Sequence, residues 1–379
     1  PNGHPIHNQQ QLTEQPLRNF LVRRAGTPIN RRTVVAAWQE ILSINEDASV
    51  DEYLRHYWVS HHGDVKSRKL YREIKAVLTD QDVDAASYSR ELAKEALVYR
   101  DIVAARSDNL ALRRQLVSIR ELGAKVLYPA LLAGYNAADN DEASSGLLEM
   151  TAALVTLFVR YNVVSKRETT ILEETVYSVA SRLRISKDFD QAVNDLLELV
   201  PSLSEFREQF LELSLKRRAT ARYLLREIEV AKRHTQEISI EDSDRVHVEH
   251  IYPRNPIGRK WTDHSKYVDR LGNLTLLARR LNTSIRNADF AAKREAYGKS
   301  AILLASELAD IEKWNVQAIT ARQKELSKFA ERVWSVPRDS QGAVHESDGV
   351  VEGPGDSNQD TRGAGDEIDP EELPETPEA

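Results

Sequence analysis

Apolar side chains recur three and four positions apart through most of residues 15–244, as in Phe206, Phe210 and Leu213 and again in Ala221, Leu224 and Ile228. That spacing predicts helices with one buried face. Residues 147–164 are apolar almost all round, which predicts a helix buried on every side. Asn140, Asp141, Ser144, Ser145 and Gly146 predict an exposed loop. Tyr128-Pro129 and Val200-Pro201 predict interruptions, because the residue before a proline is pushed out of the helical region. No repeat of fixed period is visible.

At residue 245 the pattern changes. Arg245-Val246-His247-Val248-Glu249-His250-Ile251-Tyr252-Pro253 alternates, is rich in β-branched residues and stops at proline, so it predicts a short strand. Leu271-Gly272-Asn273-Leu274-Thr275-Leu276-Leu277 predicts a second one, and Phe290 to Ser300 a helix. Two strands, a loop and a helix make a ββα unit. The expected architecture is mainly α: a disordered segment 1–14, a helical scaffold 15–244, a small ββα domain with flanking helices at 245–335, and a disordered tail at 336–379.

Composition narrows the chemistry. With no cysteine in 379 residues, thiolate metal sites, disulfide scaffolds and cysteine nucleophiles are excluded. The longest apolar run, Ala152 to Val159, is far short of the ~20 residues of a membrane span. No membrane partner is therefore expected, and the cytoplasm is the default location. The chain opens on Pro-Asn-Gly-His-Pro, with no signal-peptide pattern and no initiating Met, as a fragment or processed chain would. The net charge of −7 hides an asymmetry: residues 338–379 carry 13 acidic and 2 basic side chains, whereas 245–335 carry 17 basic and 10 acidic. The ββα region alone has the charge of a phosphate-contacting domain. The tail is too poor in large apolar groups to fold, and could solvate the chain or cover the basic face.

Residues 15–244 offer little chemistry. No Gly-rich loop ending in Gly-Lys-Ser/Thr is present, so a phosphate-cradling nucleotide site is unsupported. Tyr57-Trp58-Val59-Ser60-His61-His62-Gly63 with Lys66, Arg68, Lys69, Tyr71 and Arg72 could touch nucleic acid. It reads better as a helix–turn–helix corner with Tyr57, Trp58 and Tyr71 in the core.

Four of the ten histidines (His234, His247, His250 and His264) fall within 31 residues around the first strand. A carboxylate beside a histidine at a strand end can hold a hard cation while the imidazole accepts a proton near neutral pH. The bland alternative is a satisfied strand-end histidine with a solvated glutamate. Strand alternation would send Glu249 and His250 to opposite faces, so a shared site requires the strand to bend or end there. Asn273 can hydrogen-bond across the loop, and Asn282 supplies a neutral oxygen for a hard metal.

Val248-Glu249-His250-Ile251-Tyr252-Pro253, Leu271-Gly272-Asn273-Leu274-Thr275-Leu276-Leu277, Asn282 and the Asn287…Phe290…Lys293-Arg294…Tyr297…Ser300 series resemble the HNH-type nuclease domain of the GmrSD family of restriction enzymes. Trp314, Ile319, Arg322 and Trp334 fit the end of that domain. Leu17-Arg18-Asn19-Phe20, Tyr57-Trp58-Val59-Ser60 and the Ala221–Glu229 segment resemble, more weakly, the helical region before it. The resemblance implies a metal-dependent DNA endonuclease acting on modified or phage double-stranded DNA. It also implies an N-terminal NTPase-type sensor, whose Asp-Gly-Gln-Gln-Arg-like motif does not occur here. This chain then corresponds to an effector portion whose sensor is another domain or subunit.

Under that resemblance His250 is the general base and Asn273 the residue that pins the loop orienting it. Glu249 and Asn282 are the expected ligands of one Mg²⁺ or Mn²⁺, although the family more often has Asp at the first position. Arg279, Arg280, Arg286, Lys293 and Arg294 are the candidate DNA contacts, and Trp261, Trp314 and Trp334 are expected in the core. His247 is either a neighbour of the metal site or a surface histidine. One ββα unit with one site predicts nicking, with double-strand breaks from paired nicks or a homodimer. The rival readings are a non-catalytic DNA-binding protein and a helical interaction subunit.

Overall fold

Capping residues punctuate the helices. Thr27 accepts from the Asn30 amide with Pro28 in the first turn, Ser49 accepts from Glu52, Asp84 from Ser87, Asn109 from Ala111 and Leu112, and Asp188 from Gln191. Each satisfies a backbone donor that the first turn cannot. In the computed structural model, which describes residues 13–138, 140–233, 245–257 and 260–337, the helices so defined are α1 (Glu14–Arg24), α2 (Pro28–Ser43), α3 (Val50–His62), α4 (Ser67–Asp80), α5 (Ala85–Val103) and α6 (Leu110–Leu122). They continue with α7 (Tyr128–Ala137), α8 (Asp141–Leu157), α9 (Thr169–Ser186), α10 (Phe189–Leu199), α11 (Leu203–Leu211) and α12 (Arg218–Arg233).

The helical core is built on α7, which is buried along nearly its whole length and packs against α3, α5 and α9. Tyr53, Tyr57, Trp58 and Tyr99 fill it, while Tyr71 is half-buried at its edge. The corner expected at Tyr57–Tyr71 is thus the α3–α4 turn, with its large aromatics inside. The fully apolar stretch at 147–164 is α8 running into a π-helical turn (Phe158–Val164). Ser144–Val164 is long and apolar enough to cross a membrane by length and composition, yet two thirds of its most apolar window is buried among other helices. Two expectations are corrected. The loop predicted at 140–146 gives way to α8, which starts at Asp141, because nothing there blocks helical geometry. Pro129 does not interrupt a helix but occupies the first turn of α7, where its missing N–H costs nothing.

The second part is small. Strand β1 (Val246–His250) pairs antiparallel with β2 (Leu274–Ala278), in a register that sets Glu249 opposite Thr275 and His250 opposite Leu274. Between them lie a short helix α13 (His264–Tyr267) and a 3₁₀ turn, Leu271–Asn273, where the sequence pattern predicted strand. Helices α14 (Arg279–Ile285), α15 (Phe290–Gly298), α16 (Leu303–Ser306) and α17 (Val316–Val333) follow. Of the segments expected to be disordered, residues 1–12 and 338–379 lie outside the described residues, but the edges are corrected: Thr13 is buried, α1 starts at Glu14 and Val336 is buried in the core.

Long polar side chains lock this part together. Arg322 of α17, partly buried, donates to the Gly272, Leu274 and Leu304 carbonyls at 3.0, 2.6 and 3.2 Å. Burial pulls its guanidinium down to about 10. Gln323 accepts from the Gly272 amide at 3.0 Å and donates to the Phe210 and Leu213 carbonyls. The α11–α12 link pairs with the segment before the turn: Leu215 N–H donates to Asp269 at 2.8 Å and Leu271 N–H to Leu213 at 3.0 Å. Glu229 of α12, buried, receives the Leu303 and Leu304 amides and so caps α16. Helices α11 and α12 are therefore part of what holds the strands.

Gly272 is the closest approach in this contact. A Cβ there would collide with the Ile319 carbonyl of α17 and press on Gln323. Gly272→Ala is expected to lower stability by about 1–3 kcal/mol through overpacking, read as a lower urea midpoint at unchanged slope.

Candidate active site

β1 presents His250 and Glu249 to different partners, as alternation along a strand requires. His250 is 8% exposed, and its Nε2 lies 3.1 Å from Asp269 Oδ1. The same oxygen accepts from Arg254 Nη2 at 2.7 Å and Nε at 3.3 Å. Burial lowers the His250 pKa below its ordinary value. Asp269 pulls it back in part, while the Arg254 and Arg218 charges push it further down. The imidazole is consequently neutral at neutral pH, the state a proton acceptor needs. Burial works to raise the Asp269 carboxyl, but the hydrogen bonds and charges of Arg254 and His250 outweigh it and hold the group below its usual range.

Asn273 is fully buried and its amide is saturated. Oδ1 accepts the Tyr252 amide at 2.8 Å and Trp314 Nε1 at 3.0 Å, and Nδ2 donates to the Tyr252 and Val268 carbonyls at 3.0 and 2.9 Å. One side chain thus joins the chain leaving His250 to the chain entering Asp269. The expected loop-pinning role fits this geometry, and contact with substrate does not.

Glu249 does not share the His250 site. It is buried, with Oε1 2.5 Å from Lys293 Nζ of α15. Lys293, with no exposed surface, also donates to the His250 and Ile251 carbonyls at 2.7 and 3.3 Å. Burial pushes the Glu249 carboxyl up and the Lys293 ammonium down, each against the attraction of the other. An ammonium already fills the oxygen cage where the metal was expected. Two site expectations are thereby corrected: Glu249 is committed to an internal cation, and Lys293 cannot reach a phosphate. Asn282 does not lie at an open junction but within α14, half-buried. Its side chain makes no hydrogen bond among the described residues.

The remaining basic candidates divide. Arg279, Arg280 and Arg286 are exposed on or beside α14, which packs on both strands, and their guanidiniums have no partner among the described residues. Arg294 instead folds back to donate twice to the Ala309 carbonyl, at 3.0 and 2.8 Å. His247 is half-buried and His264 binds the Pro253 carbonyl at 3.1 Å. His234 lies outside the described residues. Trp314 and Trp334 are in the core as expected, whereas Trp261 is half-buried and stacks on Tyr252 at 3.7 Å.

Another gathering of ligand-type groups lies between α3 and α5. His61, Glu91 and Glu95 have ligand atoms within 4.8 Å of one another. Arg184 forks both oxygens of Glu95 at 2.9 and 2.6 Å, and the Tyr57 carbonyl lies 2.9 Å from His61 Nδ1. The set is an internally compensated network and not an open cation site.

Sequence reasoning missed Asp269 and Arg254. Asp269 is one of the few acids in a basic stretch and stands four residues before Asn273, which was the available signal. Comparison with known families finds a match to the C-terminal domain of GmrSD restriction endonucleases over residues 200–329. The match takes in α11 and α12 as well as the strands, in keeping with their shared packing. No curated protein matches the chain.

Proposed function

With residues 200–329 read as the C-terminal domain of a GmrSD restriction endonuclease, we propose that the chain is an HNH-type DNA endonuclease of a restriction system directed at modified or phage DNA, with His250 as its general base. The observation that carries this is the pairing of a buried, neutral imidazole with a carboxylate at the end of β1, the sheet against which α14 packs with its arginines exposed.

His250 Nδ1 takes a proton from a water molecule as the water oxygen bonds to phosphorus and the bond to the 3′ oxygen breaks. The leaving oxygen is protonated from solvent. Placing a base for that transfer contributes about 10²–10⁴-fold. Arg279, Arg280 and Arg286 hold the flanking phosphates, and contacts of this kind position the duplex without reading sequence.

The restriction-endonuclease match suggests a divalent metal, Mg²⁺ or Mn²⁺. The expected carboxylate–amide pair does not fit one here, since Glu249 is neutralised by Lys293 and only Asn282 offers an uncommitted oxygen. A single site of this kind nicks one strand, so nicked circles should precede linear plasmid in a time course. Linear product appearing first would contradict it. Modification sensing and restraint belong to a partner NTPase-type domain or subunit.

Replacing Arg279, Arg280 and Arg286 together by Gln is expected to weaken DNA binding uniformly across sequences. The slope of log affinity against log salt should fall by about 0.7–0.9 per lost contact. Fluorescence anisotropy at several salt concentrations measures this, and an unchanged slope would remove α14 from the interface.

A further inference from the structure

We infer that Asp269 is the positioning residue of His250: it fixes the imidazole with its proton on Nε2 and its lone pair on Nδ1, and steadies the imidazolium formed when Nδ1 accepts a proton. The inference rests on the nuclease reading for its catalytic consequence, but on geometry alone for the tautomer.

An ionised carboxylate can only accept hydrogen bonds, and Arg254, donating twice to Oδ1, keeps Asp269 in that form. At 3.1 Å from the same oxygen, His250 Nε2 must be the donor. In a neutral ring the other nitrogen is then the acceptor. Nδ1 has no hydrogen-bond partner among the described residues, so it is the atom left for a proton in transit.

The surroundings over-determine this one contact. The Asp269 carbonyl is held by the Leu215 amide at 2.8 Å, and the residues beside it, Arg270 and Leu271, pair with Ser214 and Leu213. Val268 and Tyr252, on the two sides of the pair, are joined through the single amide of Asn273. Arg270 is itself fixed by Glu212 and the Leu211 carbonyl. Three separate segments, the strand end, the α11–α12 link and the turn before β2, converge so that an 8%-exposed carboxylate meets an 8%-exposed imidazole. A surface ion pair between Arg254 and Asp269 alone would need none of that, because exposed pairs form on flexible side chains.

The test uses the full chain labelled with ¹⁵N-histidine, with the His250 signals assigned by their loss in His250→Gln. Wild type is expected to show protonated Nε2 and unprotonated Nδ1 at neutral pH, and Asp269→Ala to lose that single, hydrogen-bonded state. In DNA nicking, Asp269→Ala is expected to lower kcat by about 10²–10⁴-fold at little changed KM, with Asp269→Asn, which keeps an acceptor but not the charge, in between. A wild-type ring with its proton on Nδ1 overturns the inference. So does an Asp269→Ala enzyme that loses the Nε2 signal yet keeps its kcat per folded molecule. If wild type shows the expected tautomer but does not cut DNA, the positioning stands and the nuclease reading fails.

Discussion

Lys293→Met is expected to cost about 3–5 kcal/mol of stability, because it leaves the Glu249 carboxylate buried without its cation. That is a large share of the ~5–15 kcal/mol by which a domain is usually stable. Lys293 has no exposed surface, and its three acceptors are the Glu249 carboxylate and the carbonyls of His250 and Ile251. Removing the ammonium therefore strips a whole cage and not one contact. Glu249→Gln alone should also destabilise, since Lys293 would keep its charge against a neutral amide. The double variant, Glu249→Gln with Lys293→Met, removes both charges and should return the part of the loss due to the uncompensated carboxylate, though not the part due to the unpaired His250 and Ile251 carbonyls. Urea denaturation of the four proteins gives the coupling directly. Single losses that simply add would mean that Glu249 has some other counter-charge.

His250→Ala is expected to abolish detectable nicking while leaving the fold intact. The ring is buried at the end of β1 and contributes one side-chain hydrogen bond, to Asp269. Its loss should cost catalysis about 10²–10⁴-fold with only a modest fall in melting temperature. The wild-type pH profile carries the same assignment. Burial, Arg254 and Arg218 hold the His250 pKa below its ordinary value against the pull of Asp269. A base must be unprotonated to act, so activity should rise with pH on the acid side and be level by neutral pH. An acid limb displaced upward, toward pH 8, would point to a different base.

Much of this was legible in the sequence because it depends on local pattern. The switch from a period of three and four to alternation marked β1. Asn273 read as an amide bonding across the loop, and its side chain meets four backbone and side-chain groups there; the Gly272 contact with α17 was not legible. What the pattern does not carry is which charged groups meet. Asp269 finds His250 from 19 residues away, and Lys293 finds Glu249 from 44. Charged side chains on helices are usually solvated, so Lys293 passed for a phosphate contact. One signal was available: Lys293 stands three after Phe290 and four before Tyr297, in line with the buried face of α15, and a lysine in that register needs a buried partner. Alternation, taken at its word, also separates Glu249 from His250.

We place the active face of this domain at His250 and Asp269, with Glu249, the residue before His250 in the chain, in the interior. Nicking of supercoiled plasmid in Mg²⁺ or Mn²⁺ by wild type, His250→Ala and the Glu249→Gln/Lys293→Met double variant tests this placement most directly, with folding checked by circular dichroism. Wild type should nick, the double variant should nick comparably per folded molecule, and His250→Ala should not nick. A folded double variant that no longer cuts, or a His250→Ala protein that still does, would contradict it.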